Sequence, residues 1–138
     1  MANRTFRYDK LVRDRTEERV YKLHDANAKV VLKNLSHEEL IQEFKIKLQE
    51  ETLEVIEATT HDEILNELAD VLEVIRGFAK AQGISLDELE AARVAKAEER
   101  GAFDHHVYIE TITVDENAPV VKYCLKYSEK YPEVVNKN

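Results

Sequence analysis

The sequence contains few of the residues that interrupt helices or cross-link a chain. Among 138 residues it has three glycines, two prolines, one cysteine and no tryptophan. The scarcity of Gly and Pro favours long helices with short connections. A single cysteine, Cys124, excludes an internal disulfide, and no group of Cys and His residues has the spacing of a zinc site.

Long apolar runs and a net positive charge are also missing. No apolar stretch approaches the length that spans a bilayer, and none follows the first basic residues as in a signal peptide. We therefore expect a cytoplasmic protein with no membrane partner. The net charge of −8 argues against a nucleic-acid partner, whose binder would present a basic face. Hydrophobic residues make up 43% of the chain, which fits a single domain over residues 1–138.

Three segments begin with a hydroxyl residue followed three positions later by Glu, which is the pattern of a capping box. The pairs are Ser36 with Glu39, Thr60 with Glu63, and Ser85 with Glu88. Gly83 and Gly101 stand where a left-handed residue would end a helix. These signals predict helices over about 37–59, 62–82 and 86–100, and the short connections between them favour antiparallel neighbours.

The remaining segments are shorter. Residues 12–24 have the pattern of a weaker helix, whereas 28–35 and 106–114 are rich in β-branched residues and read as strands. We expect the two strands to pair with each other, or one of them to pair with another subunit. The extension over 115–138 has helical spacing that stops at Pro132. The predicted fold is mainly α, an antiparallel helical bundle with a short β-strand pair.

Two successive helices carry a carboxylate inside their apolar stripe. At about 100° per residue, Glu51 falls among the apolar residues of one helix and Glu67 among those of the next. Glu54 and Asp70 lie three residues further along, on the same faces. Because a tight turn folds these helices antiparallel, we expect the four acids to converge.

Converging carboxylates oppose each other's ionisation, and a hard divalent cation resolves that conflict. A ligand set of oxygens alone, without His or Cys, selects Mg²⁺ or Mn²⁺ over zinc. For any one of these acids, the alternative is solvent exposure or pairing with a lysine such as Lys47. The symmetrical placement of two acid pairs about one turn favours the metal. Glu50 lies beside them in the sequence, and a solvated surface position and a catalytic role fit it about equally.

The segment EETLE, followed after twelve residues by ELAD, resembles the E-E-x-x-E … E-x-x-D pattern of the all-α nucleoside triphosphate pyrophosphohydrolase superfamily, which includes the MazG-like proteins. The segments YDKLVRDR, KLQEE, ELADVLEVI and KAEERGAF resemble its phosphoribosyl-ATP-pyrophosphohydrolase-like branch, described as predicted house-cleaning enzymes. The resemblance covers about residues 8–113. It implies a helical bundle, a homodimer or higher homo-oligomer, and Mg²⁺-dependent cleavage of the α–β phosphate linkage of a nucleotide to monophosphate and pyrophosphate.

The resemblance also assigns candidate roles to individual residues. The metal ligands are matched by Glu51, Glu54, Glu67 and Asp70. Glu50 matches an acid that activates water or holds an additional ion. Basic positions that could meet phosphates are matched by Lys10, Arg13, Lys96 and Arg100, and Lys47 is a further candidate substrate-binding residue. Alternatives are a solvated basic N-terminus for the first two, pairing with Glu51 for Lys47, and surface ion pairs for the last two.

The sequence departs from this branch at two places, in the N-terminal segment and at one backbone position, and a further difference, from the histidine-pathway enzymes, bears on the substrate. Thr16-Glu17 replaces a common Ile-Pro, Ala102 replaces the second Gly of R-G-G-F, and a Ser-Tyr-Thr segment typical of histidine-pathway phosphoribosyl-ATP pyrophosphohydrolases is missing. Phosphoribosyl-ATP is therefore the lesser alternative as substrate. A catalytically inactive bundle that binds an ion or a partner is the other alternative, and the intact set of five acids favours the enzyme.

Overall fold

The computed structural model describes residues 2–135 and is mainly helical. Within these residues the helices are α1 (Thr16–Leu23), α2 (His37–Glu57), α3 (His61–Ala81), α4 (Leu86–Arg100) and α5 (Pro119–Lys126). The chain divides into two compact units, one ending at Arg100 and the other beginning at Gly101. The assignment of 1–138 to a single domain stays a prediction.

Capping boxes start α2 and α3, as the sequence predicts. Ser36 Oγ accepts a hydrogen bond from the Glu39 N–H at 3.1 Å, and the Glu39 carboxylate accepts from the Ser36 N–H at 3.3 Å. Thr60 and Glu63 form the same reciprocal pair at 3.2 and 3.4 Å. Glu63 also accepts from the N–H of Thr59 at 3.0 Å. This bond occupies the Thr59 N–H, so α2 ends slightly earlier than predicted.

Glycines end α3 and α4 at the predicted positions. Gly83 and Gly101 have φ angles of 72° and 85°, in the left-handed region that favours glycine. Ser85 Oγ accepts from the Glu88 N–H at 3.1 Å at the start of α4. The bounds of α4 agree with the prediction, whereas α1 is shorter than the predicted 12–24.

Helices α2 and α3 pack together as an antiparallel hairpin, and α4 packs against α3. Phe44 of α2 stacks on Phe78 of α3 with ring centroids 5.8 Å apart. Gly77 makes this approach possible, because a Cβ there would lie 2.9 Å from Phe44 Cε1. The ring of Phe44 therefore belongs to the contact between the helices and is not a free surface for stacking.

The hairpin also carries large apolar side chains that the chain itself leaves exposed. We call them the outer apolar stripes: Ile46, Leu53 and Ile56 on α2, and Leu65, Leu68 and Leu72 on α3. Within each helix these residues recur at helical spacing, so they share one side of that helix. Among the described residues, the buried ones are Val74, Ala79 and Glu51.

The predicted β-strand pair does not form within the chain, and this part of the predicted fold is wrong. Neither 28–35 nor 106–114 forms a strand, and residues 2–135 contain none. A strand requires a backbone partner, and neither segment has a ladder of hydrogen bonds to another segment. Val107, Tyr108 and Ile109 are largely exposed. Their pattern of β-branched residues is a local preference that no neighbouring backbone completes.

The C-terminal extension is helical over a shorter range than predicted. Helix α5 has Pro119 in its first turn and ends at Lys126, well before Pro132. Tyr123 contacts the rings of Tyr127 and Tyr131 with centroids 5.0 and 5.6 Å away. The end of the predicted helical extension, 136–138, lies outside the described residues. No helix in residues 2–135 has the length and apolar content needed to cross a bilayer.

Candidate metal centre

Three carboxylates meet between α2 and α3. Glu51, Glu54 and Glu67 each offer one oxygen, and these oxygens lie within 4.8 Å of one another. Glu51 is buried, Glu67 is half-buried and Glu54 is exposed. Their spacing puts Glu51 and Glu54 on one face of α2, and the tight turn before α3 brings Glu67 to the same level. The convergence of these three predicted acids is thus present in the structure.

The cluster contains two carboxylate oxygens that are buried without a hydrogen-bond partner, Oε2 of Glu51 and Oε2 of Glu67. Leaving such an oxygen unpaired away from water costs free energy. Burial and the neighbouring Glu54 carboxyl raise the pKa of Glu51, while Lys47, whose Nζ lies 3.2 Å from Oε1, lowers it. The negative charge of the three carboxylates therefore exceeds the positive charge that neighbouring residues supply.

These residues fit a hard divalent cation. The cluster consists of carboxylate oxygens alone, which are the ligands of Mg²⁺ and Mn²⁺. The three oxygens lie within 4.8 Å of one another, so a small movement of the side chains would bring them to one ion. A cation bound in the cluster would also give the unpaired Oε2 atoms of Glu51 and Glu67 a partner.

The other two predicted acids lie in ion pairs with basic residues. Asp70 Oδ1 accepts from Arg13 Nη2 at 2.6 Å, and Asp70 is not part of the three-acid cluster. Glu50 Oε1 accepts from Lys10 Nζ at 3.2 Å and lies 3.6 Å from Lys47 Nζ. Burial alone would raise the pKa of Glu50, but the hydrogen bonds and charges of both lysines lower it below its usual value. Glu50 is therefore an ionised carboxylate at neutral pH.

The predicted basic residues fall into two groups. Lys10, Arg13 and Lys47 contact the acids, whereas Lys96 and Arg100 are exposed on α4. Within residues 2–135, Lys96 and Arg100 form no ion pair, so the alternative of surface pairing is not observed for them.

The pairing of Lys10 with Glu50 and of Arg13 with Asp70 was not predicted. These contacts join residues 40 and 57 positions apart. The one feature of the sequence that points to these contacts is the basic segment near its start, because acidic residues outnumber basic ones in the chain as a whole.

Four aromatic residues that could stack on a nucleobase have different surroundings. Phe44 packs on Phe78, while Tyr8, Phe103 and Tyr108 are exposed. Ala102 is not among the residues of positive φ in the described chain, so its replacement of a glycine introduces no strain there.

Comparison with known families decides the relationship of the chain. The family described as phosphoribosyl-ATP pyrophosphohydrolase matches residues 8–97, which include all five candidate acids. The chain belongs to the phosphoribosyl-ATP pyrophosphohydrolase family. The match confirms the resemblance to the all-α nucleoside triphosphate pyrophosphohydrolase superfamily. Comparison with curated proteins and with solved structures finds no match.

Membership in the phosphoribosyl-ATP pyrophosphohydrolase family identifies the chain as a hydrolase that acts on phosphoanhydride bonds. Enzymes of this family typically use a divalent metal, in agreement with the presence of a carboxylate cluster. The family description names the substrate that the missing Ser-Tyr-Thr segment made the lesser alternative. The substrate therefore needs a direct test.

Proposed function

We propose that the chain is a Mg²⁺-dependent nucleoside triphosphate pyrophosphohydrolase that cleaves the α–β phosphoanhydride to a monophosphate and pyrophosphate. The observation that carries this proposal is the cluster of three carboxylates with two unpaired buried oxygens. Glu51, Glu54 and Glu67 are the proposed metal ligands, with Asp70 as a fourth at the edge of the cluster. Mn²⁺ is an alternative ion with the same ligand preference.

Phosphoanhydride hydrolysis needs neutralised phosphate charge and a positioned water. Mg²⁺ held by Glu51, Glu54 and Glu67 would act as a Lewis acid and would lower the pKa of water at the site. Glu50 is proposed to accept the proton of the attacking water, because it is an ionised carboxylate next to the ligands in sequence. The residues proposed to bind the phosphates as charged donors are Lys10, Arg13, Lys47, Lys96 and Arg100.

Two substrate classes fit this reaction. The sequence resemblance supports damaged or noncanonical nucleoside triphosphates, which a house-cleaning enzyme removes. The description of the matching family supports phosphoribosyl-ATP. Both contain an α–β phosphoanhydride and both release pyrophosphate, so one assay measures them side by side.

The test is pyrophosphate release from a panel of standard triphosphates, damaged triphosphates and phosphoribosyl-ATP, with Mg²⁺ and with chelator. We expect turnover of at least one member, dependent on the metal. The variant Glu67→Gln removes one proposed ligand of the metal. Its matched control is Glu73→Gln, because Glu73 lies on the same helix and pairs with Arg76 at 3.2 Å. A clean negative over the whole panel would favour the inactive, ion-binding or partner-binding module.

We also propose that the chain forms a homodimer or higher homo-oligomer through the outer apolar stripes. Both helices of the hairpin present such a stripe, and side chains like Leu53 and Leu72 are more than half exposed in the single chain, at 54% and 66%. A second copy offers equally apolar stripes, so association buries both sets.

Light scattering on the parent tests this association. We expect at least twice the mass of one chain, and a lower mass for the double variant Leu53→Glu, Leu72→Glu with its helix content retained by circular dichroism. A parent that is monomeric at assay concentrations would contradict the proposal.

A further inference from the structure

The segment over residues 7–13, which we call the N-terminal strap, contacts the acids at two points. Lys10 Nζ lies 3.2 Å from Glu50 Oε1, and Arg13 Nη2 lies 2.6 Å from Asp70 Oδ1. Glu50 is on α2 and Asp70 is on α3. The strap therefore joins the two helices that hold the three-carboxylate cluster.

The strap has few other attachments. It contains no helix or strand, Tyr8 is 68% exposed, and Leu11 is the one half-buried residue among its seven. Between residues 2 and 13, the one backbone hydrogen bond is that of the Arg13 carbonyl, which accepts from the Thr16 N–H at 3.0 Å in the turn before α1. The two ion pairs are thus the main polar contacts between the strap and the hairpin.

The acids divide into those that have a cation from the strap and those that do not. Glu50 and Asp70 are paired with Lys10 and Arg13, whereas the buried Oε2 atoms of Glu51 and Glu67 have no partner. A divalent cation held by the cluster would place like charge next to Lys10 and Arg13, which weakens both ion pairs.

We propose that the N-terminal strap is a built-in counter-ion of the acids that a divalent cation displaces. When the cluster takes up the ion, Arg13 leaves Asp70, Lys10 leaves Glu50, and residues 7–13 detach from the hairpin. The released cations are then available to an anionic substrate. The inference rests on the proposed function for its metal, and it is independent of which nucleotide is cleaved.

Calorimetric titration with Mg²⁺ alone tests the competition. We expect Arg13→Gln to bind Mg²⁺ about two- to fivefold more tightly than the parent, since a partly exposed ion pair opposes binding by that factor. Lys10→Gln is an independent second variant with the same expected direction. Arg7→Gln is the matched control: it removes one charge from the same strap, but Arg7 pairs with Asp9 and not with the cluster. Its affinity should equal that of the parent.

Amide relaxation measured by NMR tests the detachment without any assay of turnover. In the parent, the amides of residues 8–12 should become more mobile when Mg²⁺ replaces chelator. In Arg13→Gln they should already be mobile in chelator. Arg7→Gln should behave as the parent does.

Equal Mg²⁺ affinity of Arg13→Gln and Arg7→Gln would overturn the inference, as would relaxation of residues 8–12 that does not respond to Mg²⁺. A parent that binds no Mg²⁺ would overturn both this inference and the metal in the proposed function. Metal binding with release of the strap, but no pyrophosphate from any substrate, would overturn the proposed function and support the strap.

Discussion

The acid pairs of α2 and α3 have the same spacing in the sequence but different surroundings in the structure. Glu51 is buried and its carboxylate lies 3.2 Å from Lys47 of its own helix. Glu67 forms no ion pair within residues 2–135 and keeps an unpaired buried oxygen. The charge of Glu51 is thus partly neutralised by a lysine of its own helix, whereas the charge of Glu67 needs a cation from elsewhere.

The second members of the pairs differ as well. Glu54 is exposed and belongs to the three-carboxylate cluster, while Asp70 is held by Arg13 and lies outside it. Helical periodicity set the positions of all four acids, but the counter-ion of Asp70 comes from a distant residue, Arg13. Identical spacing therefore did not produce equivalent ligands.

The largest expected effect is on turnover when the unpaired acid of α3 loses its charge. Glu67→Gln keeps the size of the side chain but removes an ionic ligand, so we expect pyrophosphate release to fall by at least about a hundredfold. Glu73→Gln on the same helix should stay close to the parent. If the two variants have similar activity, the proposed difference between the cluster and the rest of α3 is wrong.

A smaller effect of the same variant is expected on stability without metal. In chelator, Glu67→Gln removes a charged carboxylate whose buried oxygen has no partner. The free energy of unfolding of the variant should therefore equal that of the parent or exceed it by up to about 1 kcal/mol. Thermal melts in chelator measure this. A variant that melts several degrees below the parent would contradict the crowding of charge in the cluster.

The smallest expected effects are opposite pH dependences of two adjacent acids of α2. The folded pKa of Glu51 lies above its ordinary value of 4.5, so its contribution to stability is complete below that pH and is lost as pH rises through the folded pKa. The folded pKa of Glu50 lies below 4.5, so its contribution is present above that pH and is lost as pH falls through the folded pKa.

Urea unfolding in chelator at a series of pH values measures both contributions, each expected to be below about 1 kcal/mol. Relative to the parent, Glu51→Gln should gain stability as pH rises from 4.5 through the folded pKa of Glu51. Glu50→Gln should lose stability relative to the parent as pH rises from below the folded pKa of Glu50 to 4.5. If the stability of both variants relative to the parent changes in the same direction as pH rises, the two acids do not have opposite surroundings.

The parts of the fold that depend on local signals could be predicted from the sequence. The starts of α2 and α3 lie within one residue of prediction, because a capping box is contained in four consecutive residues. The strand pair was wrong because a strand depends on a partner that local composition does not supply. Residues 28–35 and 106–114 have the preference but not the partner.

The candidate site divides in the same way. The meeting of Glu51, Glu54 and Glu67 follows from helical spacing and one tight turn, both readable in the sequence. The pairing of Arg13 with Asp70 does not, since no periodic pattern connects residues 57 positions apart. The sequence could therefore identify the acids and the nearby Lys47, but not the distant cations that accompany Glu50 and Asp70.

The most direct test of the central claim is a titration with Mn²⁺ in which electron paramagnetic resonance measures the free ion. If the carboxylates between α2 and α3 form one divalent-cation site, the parent and Glu73→Gln should bind Mn²⁺ saturably and equally. Glu67→Gln should bind at least about tenfold more weakly. Binding by Glu67→Gln that matches Glu73→Gln would contradict the account.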